Sequence, residues 1–250
     1  MTGYLVADIG ATNVRIGLLN DAGKLQGVSQ FLTSEYPGPA ELVREYCSNL
    51  NRPIPKRVCF AVAAPVTSDI VDFTNNAWRF SMSKLKQVLC LDELMLINDT
   101  LAWALALAQS SSGQQQQVGG QQQKISGTLA FLIPGTGLGV SGLVPYEDSW
   151  LPIAGEGGYV EVTGGNAYER KVLSVVRDRH GRVSAERVLS GPGILELHRA
   201  VLELEQQDIS IEEPETIVAR AIAGTCPMAS KVVEIYLALL GEVAGTAALL

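Results

Sequence analysis

Asp8 closes an apolar run, YLVADIG, and Gly10, Ala11, Thr12 and Asn13 follow before a second apolar run, NVRIGLLN. Small residues at such a corner let the backbone come close to a ligand, and the N–H groups of a tight turn, with the Thr12 hydroxyl, can form an anion nest. Asp8 has the wrong charge for phosphate and the right charge for Mg2+, usually held through water. The same residues also make a plain hairpin tip. Gly135-Thr136-Gly137-Leu138-Gly139 forms a second bend of this kind between two apolar strands. It is not G-x-G-x-x-G and no helix follows it directly, so a dinucleotide fingerprint fails on context. Read together, the two tips suggest a phosphate chain held from both sides; read singly, each is also a structural glycine bend.

Carboxylates and amides supply the remaining candidates. Asn98-Asp99 ends an apolar strand and opens a helix, the place where α/β folds bind ligands. An aspartate there could take the proton of an attacking hydroxyl during phosphoryl transfer, and it would equally serve as the N-cap of TLAWALALAQ. Glu156 in GEGGY and Glu186 in SAER could meet a polyhydroxylated ligand, since each carboxylate accepts two or more O–H bonds. Glu186 also suits the first turn of a helix capped by Ser184. The stretch TNNAW, with Asn76 and Trp78, offers amides and an aromatic face for a sugar, or a turn packed by a core Trp.

The elements that must hold these residues follow from periodicity. Strands are expected at 4–10, 13–20 and 24–33, with turn chemistry at Asp21-Ala22-Gly23, giving an antiparallel opening. Residues 39–50 have helical spacing, 57–66 and 93–99 read as strands buried on both faces, and 82–90 and 100–109 read as helices. The run SSSGQQQQVGGQQQK, 110–124, has no apolar anchor and reads as a solvated, mobile loop and a domain boundary. Beyond it, 128–144 repeats the strand, glycine corner and strand of the opening, and helices are expected near 166–179, 184–203, 214–224 and 231–250. This divides the chain into an α/β lobe at 1–109, the loop, and a larger α/β lobe at 125–250. The last helix stops on Ala-Ala-Leu-Leu without a cap or polar tail, which points to a shortened form of a longer protein.

Composition narrows the class. The 250 residues carry 19 basic and 26 acidic side chains, a net charge of −7, with 47% hydrophobic residues. No basic stripe appears, which argues against nucleic acid as a partner. Cys47, Cys59, Cys90 and Cys226 fit no zinc spacing and read as buried thiols of a reducing compartment. No apolar run reaches membrane-spanning length and no signal-type segment opens the chain, so a cytoplasmic protein is expected.

The order DIGATN, TNNAW, IND, PGTGLG, GEGG and SAERVLSGPG resembles the bacterial glucokinase family, within the actin-like, sugar-kinase and heat-shock-chaperone ATPase superfamily, from residue 4 to about 249. The resemblance implies a ribonuclease-H-like, actin-like α/β fold of two lobes with a ligand cleft, its C-terminal part missing, and ATP-dependent phosphorylation of glucose to glucose 6-phosphate with Mg2+. It implies that Ala7, Asp8, Ile9, Gly10, Ala11, Thr12 and Asn13 form the first phosphate loop, with Asp8 near the metal. Gly135, Thr136 and Gly137 would form the second. Asp99 would be the general base, Asn98, Glu156 and Glu186 would bind sugar hydroxyls, Asn76 and Trp78 would lie on a loop near the sugar, and Tyr159 would stand among the sugar-binding residues. A homodimer is compatible with this picture. Two residues depart from the family pattern: Ala11 replaces a second glycine, acceptable if φ stays negative, and Tyr159 replaces a histidine that contacts the sugar. The second departure leaves open a kinase of another hexose or an amino sugar, and the shortened end leaves open a catalytically weak sugar-binding sensor.

Overall fold

The computed structural model describes residues 3–73, 76–110, 116–119, 127–153, 155–209 and 212–249. Thr74 and Asn75 of the TNNAW stretch, most of the Gln-rich segment and the last leucine fall outside the described residues. Two compact units divide the chain, Met1–Ser110 and Ser111–Leu250.

The first unit runs β1 (Tyr4–Ile9), β2 (Asn13–Leu19), β3 (Leu25–Leu32), α1 (Pro39–Asn49), β4 (Arg57–Val62), β5 (Ile70–Asp72), β6 (Arg79–Ser81), α2 (Met82–Val88), β7 (Glu93–Asn98) and α3 (Asp99–Ala108). Its five-stranded sheet has the order β3-β2-β1-β4-β7. The expected antiparallel opening is present in β1, β2 and β3, while β1, β4 and β7 are parallel. Alternation along β1 buries Leu5, Ala7 and Ile9 and turns Val6 and Asp8 to the other face. The buried face packs with Leu42, Val43, Tyr46 and Cys47 of α1, one turn of helix apart. Register sets Ile9 against Val62 and Val62 against Asn98, so the carboxyl ends of the three parallel strands finish level.

One expectation for this unit needs correction, and one hairpin was not expected. β7 is not buried on both faces: it is the edge strand of its sheet, and Met95 is 48% exposed. The hairpin β5–β6 was not foreseen, because three-residue strands are too short to show a period of two.

The second unit contains an antiparallel sheet, β8 (Leu129–Pro134), β9 (Leu138–Tyr146) and β10 (Ser149–Ile153), in the order β10-β9-β8. Helices α4 (Ala167–His180), α5 (Ala185–Val188), α6 (Gly191–Leu204), α7 (Pro214–Ile222) and α8 (Pro227–Ala248) follow. Their apolar faces meet in one core that includes Val172, Leu197, Val201, Ile217, Val232 and Leu239. The single helix expected over 184–203 is two. Ser190 turns to extended backbone, φ −133° and ψ 174°, and its side chain accepts from the Gly193 N–H to start α6. The last helix begins at Pro227, four residues before the expected start, with proline in the first turn where its missing N–H costs nothing. Among the described residues no single helix is long and apolar enough to cross a membrane; α7 and α8 satisfy the length and composition only as a pair bent by 101°.

Candidate active site

In the first unit the site begins at the tip between β1 and β2. The Gly10 N–H donates to the Asn13 carbonyl at 2.9 Å and closes the turn. The Thr33 N–H donates to the Thr12 carbonyl at 2.9 Å, its hydroxyl donates to the Gly10 carbonyl at 3.3 Å, and Gln30 Nε2 donates to Asn13 Oδ1 at 3.0 Å. The turn is thus fixed by its neighbours before any ligand arrives. Ala11 is not among the residues with positive φ, so its methyl group is accommodated without backbone strain. Ala7 and Ile9 are buried in the core and can offer a ligand only backbone groups.

Asp8 stands directly opposite Arg15 in the register, with Nη1 to Oδ2 at 3.7 Å and side chains 64% and 46% exposed for Arg15 and Asp8. An ion pair this open to water contributes little, so the carboxylate can be taken over by another cation. Asn76 reaches the same tip: its Nδ2 donates to the Gly10 carbonyl at 3.5 Å and its Oδ1 accepts from the Trp78 N–H at 2.7 Å. Trp78 is 2% exposed and its Nε1 donates to the Tyr36 carbonyl at 2.8 Å. Of its two readings, the core anchor is the one present.

Asn98 and Asp99 lie where β7 passes into α3. The N-cap is Asn98, not Asp99: Asn98 is extended, and its Oδ1 accepts from the Thr100 N–H at 3.0 Å. Asp99 is the first helical residue, and its Oδ1 accepts from the same N–H at 2.7 Å. Asn98 Nδ2 donates to the Ala64 carbonyl at 3.4 Å. Burial raises the pKa of Asp99, the Thr100 N–H lowers it, and the negative charge of Asp8 raises it further. A carboxylate held in this way is a better proton acceptor than a solvated one.

In the second unit the Gly135–Gly137 bend is closed by Gly135 N–H to Gly137 O at 2.8 Å, and the Gly191 N–H at the start of α6 donates to the Gly135 carbonyl at 2.8 Å. Glu186 Oε2 accepts from the Leu138 N–H at 3.1 Å. Ser184 caps α5, as expected, by accepting from the Arg187 N–H at 3.3 Å. Thr136, Tyr159 and Glu186 line one cavity of about 420 Å3, together with Arg187, Ser190 and Arg199. Glu156 is exposed at the start of a single 3-10 turn and is not part of that lining.

The first unit therefore gathers Asp8, the 10–13 tip, Asn76 and Asn98-Asp99, and the second gathers Thr136, Tyr159 and Glu186. Sequence reasoning missed Thr33, which braces the first tip from β3's end, and Arg187 and Arg199 in the cavity wall. Arg187 sits inside the quoted SAER motif and could have been found there; nothing in the pattern around Thr33 marks it.

The glucokinase family model matches residues 5–250. A glucokinase of Paramagnetospirillum magneticum is 36% identical over 247 residues, covering 98% of this chain and 77% of that protein. A solved glucokinase from an Antarctic psychrotroph superposes with a TM-score of 0.83 at 30% identity, covering 100% of this chain and 79% of that one. The fold is also that of a glucokinase from Balamuthia mandrillaris solved in complex with glucose, with a TM-score of 0.75 at 19% identity over 97% of this chain and 75% of that one.

Proposed function

The chain belongs to the glucokinase family, and we propose that it transfers the γ-phosphoryl group of ATP to the 6-hydroxyl of glucose, with Asp99 as the general base. The observation that carries this reading is Asp99 itself: a part-buried carboxylate at the end of a parallel strand, its pKa raised by burial. In the transfer the sugar O6–phosphorus bond forms, the bond from phosphorus to the β-phosphate oxygen breaks, and ADP leaves. Asp99 takes the proton that the 6-hydroxyl loses. Such a reaction asks the protein mainly for positioning and charge neutralisation.

The other roles are assigned in the same proposal. Backbone groups of Ala7–Asn13 and the Gly135, Thr136 and Gly137 bend hold the phosphates. Asn76, Asn98, Glu156, Tyr159 and Glu186 hold the sugar hydroxyls. Asp8 suits Mg2+: it is a half-exposed carboxylate, and no group of three or more His, Cys, Asp or Glu side chains that could cage a metal occurs among the described residues. Mg2+ is usually held by one or two carboxylates with phosphates and water, and when bound it neutralises phosphate charge. A cytoplasmic homodimer is the form proposed, and light scattering on the purified protein tests its dimeric part.

Tyr159 favours a second reading, a kinase of another hexose or of an amino sugar. The residue is 54% exposed and lines the cavity that Glu186 also lines. ADP release measured against a panel of hexoses and amino sugars separates the two. Highest kcat/KM for glucose supports the first reading; release with no sugar in the panel removes both.

A further inference from the structure

Glu186 has two carboxylate oxygens with different surroundings. Oε2 accepts from the Leu138 N–H at 3.1 Å. Oε1 has no protein partner among the described residues, and Glu186 lines the 420 Å3 cavity. No other side chain among the described residues hydrogen-bonds residues 135–138. The carboxylate can approach so closely because residue 137 is glycine: a Cβ there would lie 2.5 Å from Oε2 and 3.2 Å from the carboxyl carbon. Glu186 is itself fixed from behind. The Ala185 N–H donates to the Val160 carbonyl at 2.7 Å, Ala185 is fully buried, and Ser184 caps the short helix.

We infer that Glu186 is a positioning residue for the second glycine bend as well as a sugar ligand: one oxygen fixes the loop that takes phosphate, and the other is left for a sugar hydroxyl. This rests on the roles proposed above for Glu186 and for Gly135–Gly137. A single carboxylate then links the two substrates within one unit, so loss of the brace reaches the nucleotide as well as the sugar. Gly137 is part of the same device, because it keeps the space that Oε2 occupies.

The test measures binding of AMPPNP with Mg2+, in the absence of sugar, and of glucose, by calorimetry on the whole chain. Wild-type protein must first bind both; binding neither removes the proposed function itself and is seen before any variant is made. Glu186→Ala removes the brace and is expected to weaken AMPPNP roughly tenfold or more, the worth of a hydrogen bond to a charged group. Glu186→Gln keeps a carbonyl oxygen for the Leu138 N–H and is expected to hold AMPPNP affinity within about threefold, while glucose weakens in both variants. Gly137→Ala has no positive φ to violate and serves if Glu186→Ala fails to fold. It is expected to weaken glucose by displacing Oε2, an effect absent when Gly137→Ala is added to Glu186→Ala, as coupled sites behave. AMPPNP affinity unchanged in Glu186→Ala, or glucose affinity unchanged in Gly137→Ala, overturns the inference.

Discussion

Asp8 and Asp99 mark the carboxyl ends of β1 and β7, the two parallel strands that flank β4, and the negative charge of Asp8 raises the pKa of Asp99. Burial is the larger cause and Asp8 a lesser one. Asp8→Asn is therefore expected to bring the Asp99 titration part of the way back toward the ordinary carboxylate range. Carboxyl-carbon NMR on metal-free protein reads this directly. A midpoint that does not move would show that the two charges do not sense each other.

Asp99→Ala is expected to lower kcat by about two decades or more, the usual worth of a general base, while calorimetric glucose binding stays measurable. Because the base acts only when ionised, kcat/KM of the wild type should fall as pH drops through the raised pKa of Asp99. That acid limb lies above the range of a solvated aspartate. Turnover close to wild type in Asp99→Ala would remove Asp99 from the role.

The same shift has a consequence for stability. The folded state holds the Asp99 proton to higher pH than the unfolded chain does, so as pH rises from the unfolded pKa through the folded one, folding loses stability. Asp99→Asn should accordingly raise Tm at neutral pH and change it least below both pKa values, where wild-type Asp99 is already neutral. Melting curves of the two proteins across that range check the sign; a lower Tm for Asp99→Asn at neutral pH would contradict it.

Much of this is legible in the sequence. The apolar alternation of YLVADI announces β1 and the face Asp8 must take, and small residues beside Asp8 announce a tip. Local chemistry was harder to separate from function. Asn98 and Asp99 both bind the Thr100 N–H, and a residue pair that fits cap and catalyst alike cannot be divided by pattern. The break inside 184–203 is signalled by Ser190-Gly191-Pro192-Gly193, a cap followed by breaker residues, but the apolar spacing running through Val188 and Leu189 into α6 masks it; Leu189 leaves helical backbone and Ser190 is extended. β10 was missed because its WLPI core alternates poorly and its residues are mostly exposed. Long-range contacts such as Thr33 to Gly10, 23 residues apart, leave no trace in a local window.

Tyr159→Phe isolates the hydroxyl that this chain has in place of the family's histidine. If that hydroxyl contacts the sugar, KM for the best substrate should rise roughly tenfold with little change in kcat, as for loss of one hydrogen bond made equally in ground and transition states. Steady-state kinetics on the sugar panel reads it. An unchanged KM for every sugar would leave Tyr159 as part of the wall only, consistent with its carbonyl already accepting from Arg182 Nη2 at 2.8 Å.

Gly158 lies against the Leu138 carbonyl at the second bend, and its replacement separates packing from chemistry. A Cβ at Gly158 would lie 2.2 Å from the Leu138 carbonyl oxygen and 3.3 Å from its carbon. Those are backbone atoms of a strand paired at Pro134, so neither can turn aside as a side-chain tip would. Gly158→Ala should therefore destabilise the protein by about 1–3 kcal/mol, the usual cost of forced overpacking, which for a chain of this size lowers Tm by roughly 2–4 °C per kcal/mol. Gly155→Ala is the control: nothing lies within 4 Å of its Cβ, and its Tm should stay near wild type. Since the Leu138 N–H is the group that Glu186 holds, the surviving folded fraction of Gly158→Ala should also bind AMPPNP more weakly than Gly155→Ala does. Equal melting temperatures for the two variants would mean that the 2.2 Å approach is relieved by a shift of the GEGGY loop, and the loop would then be no support for the bend.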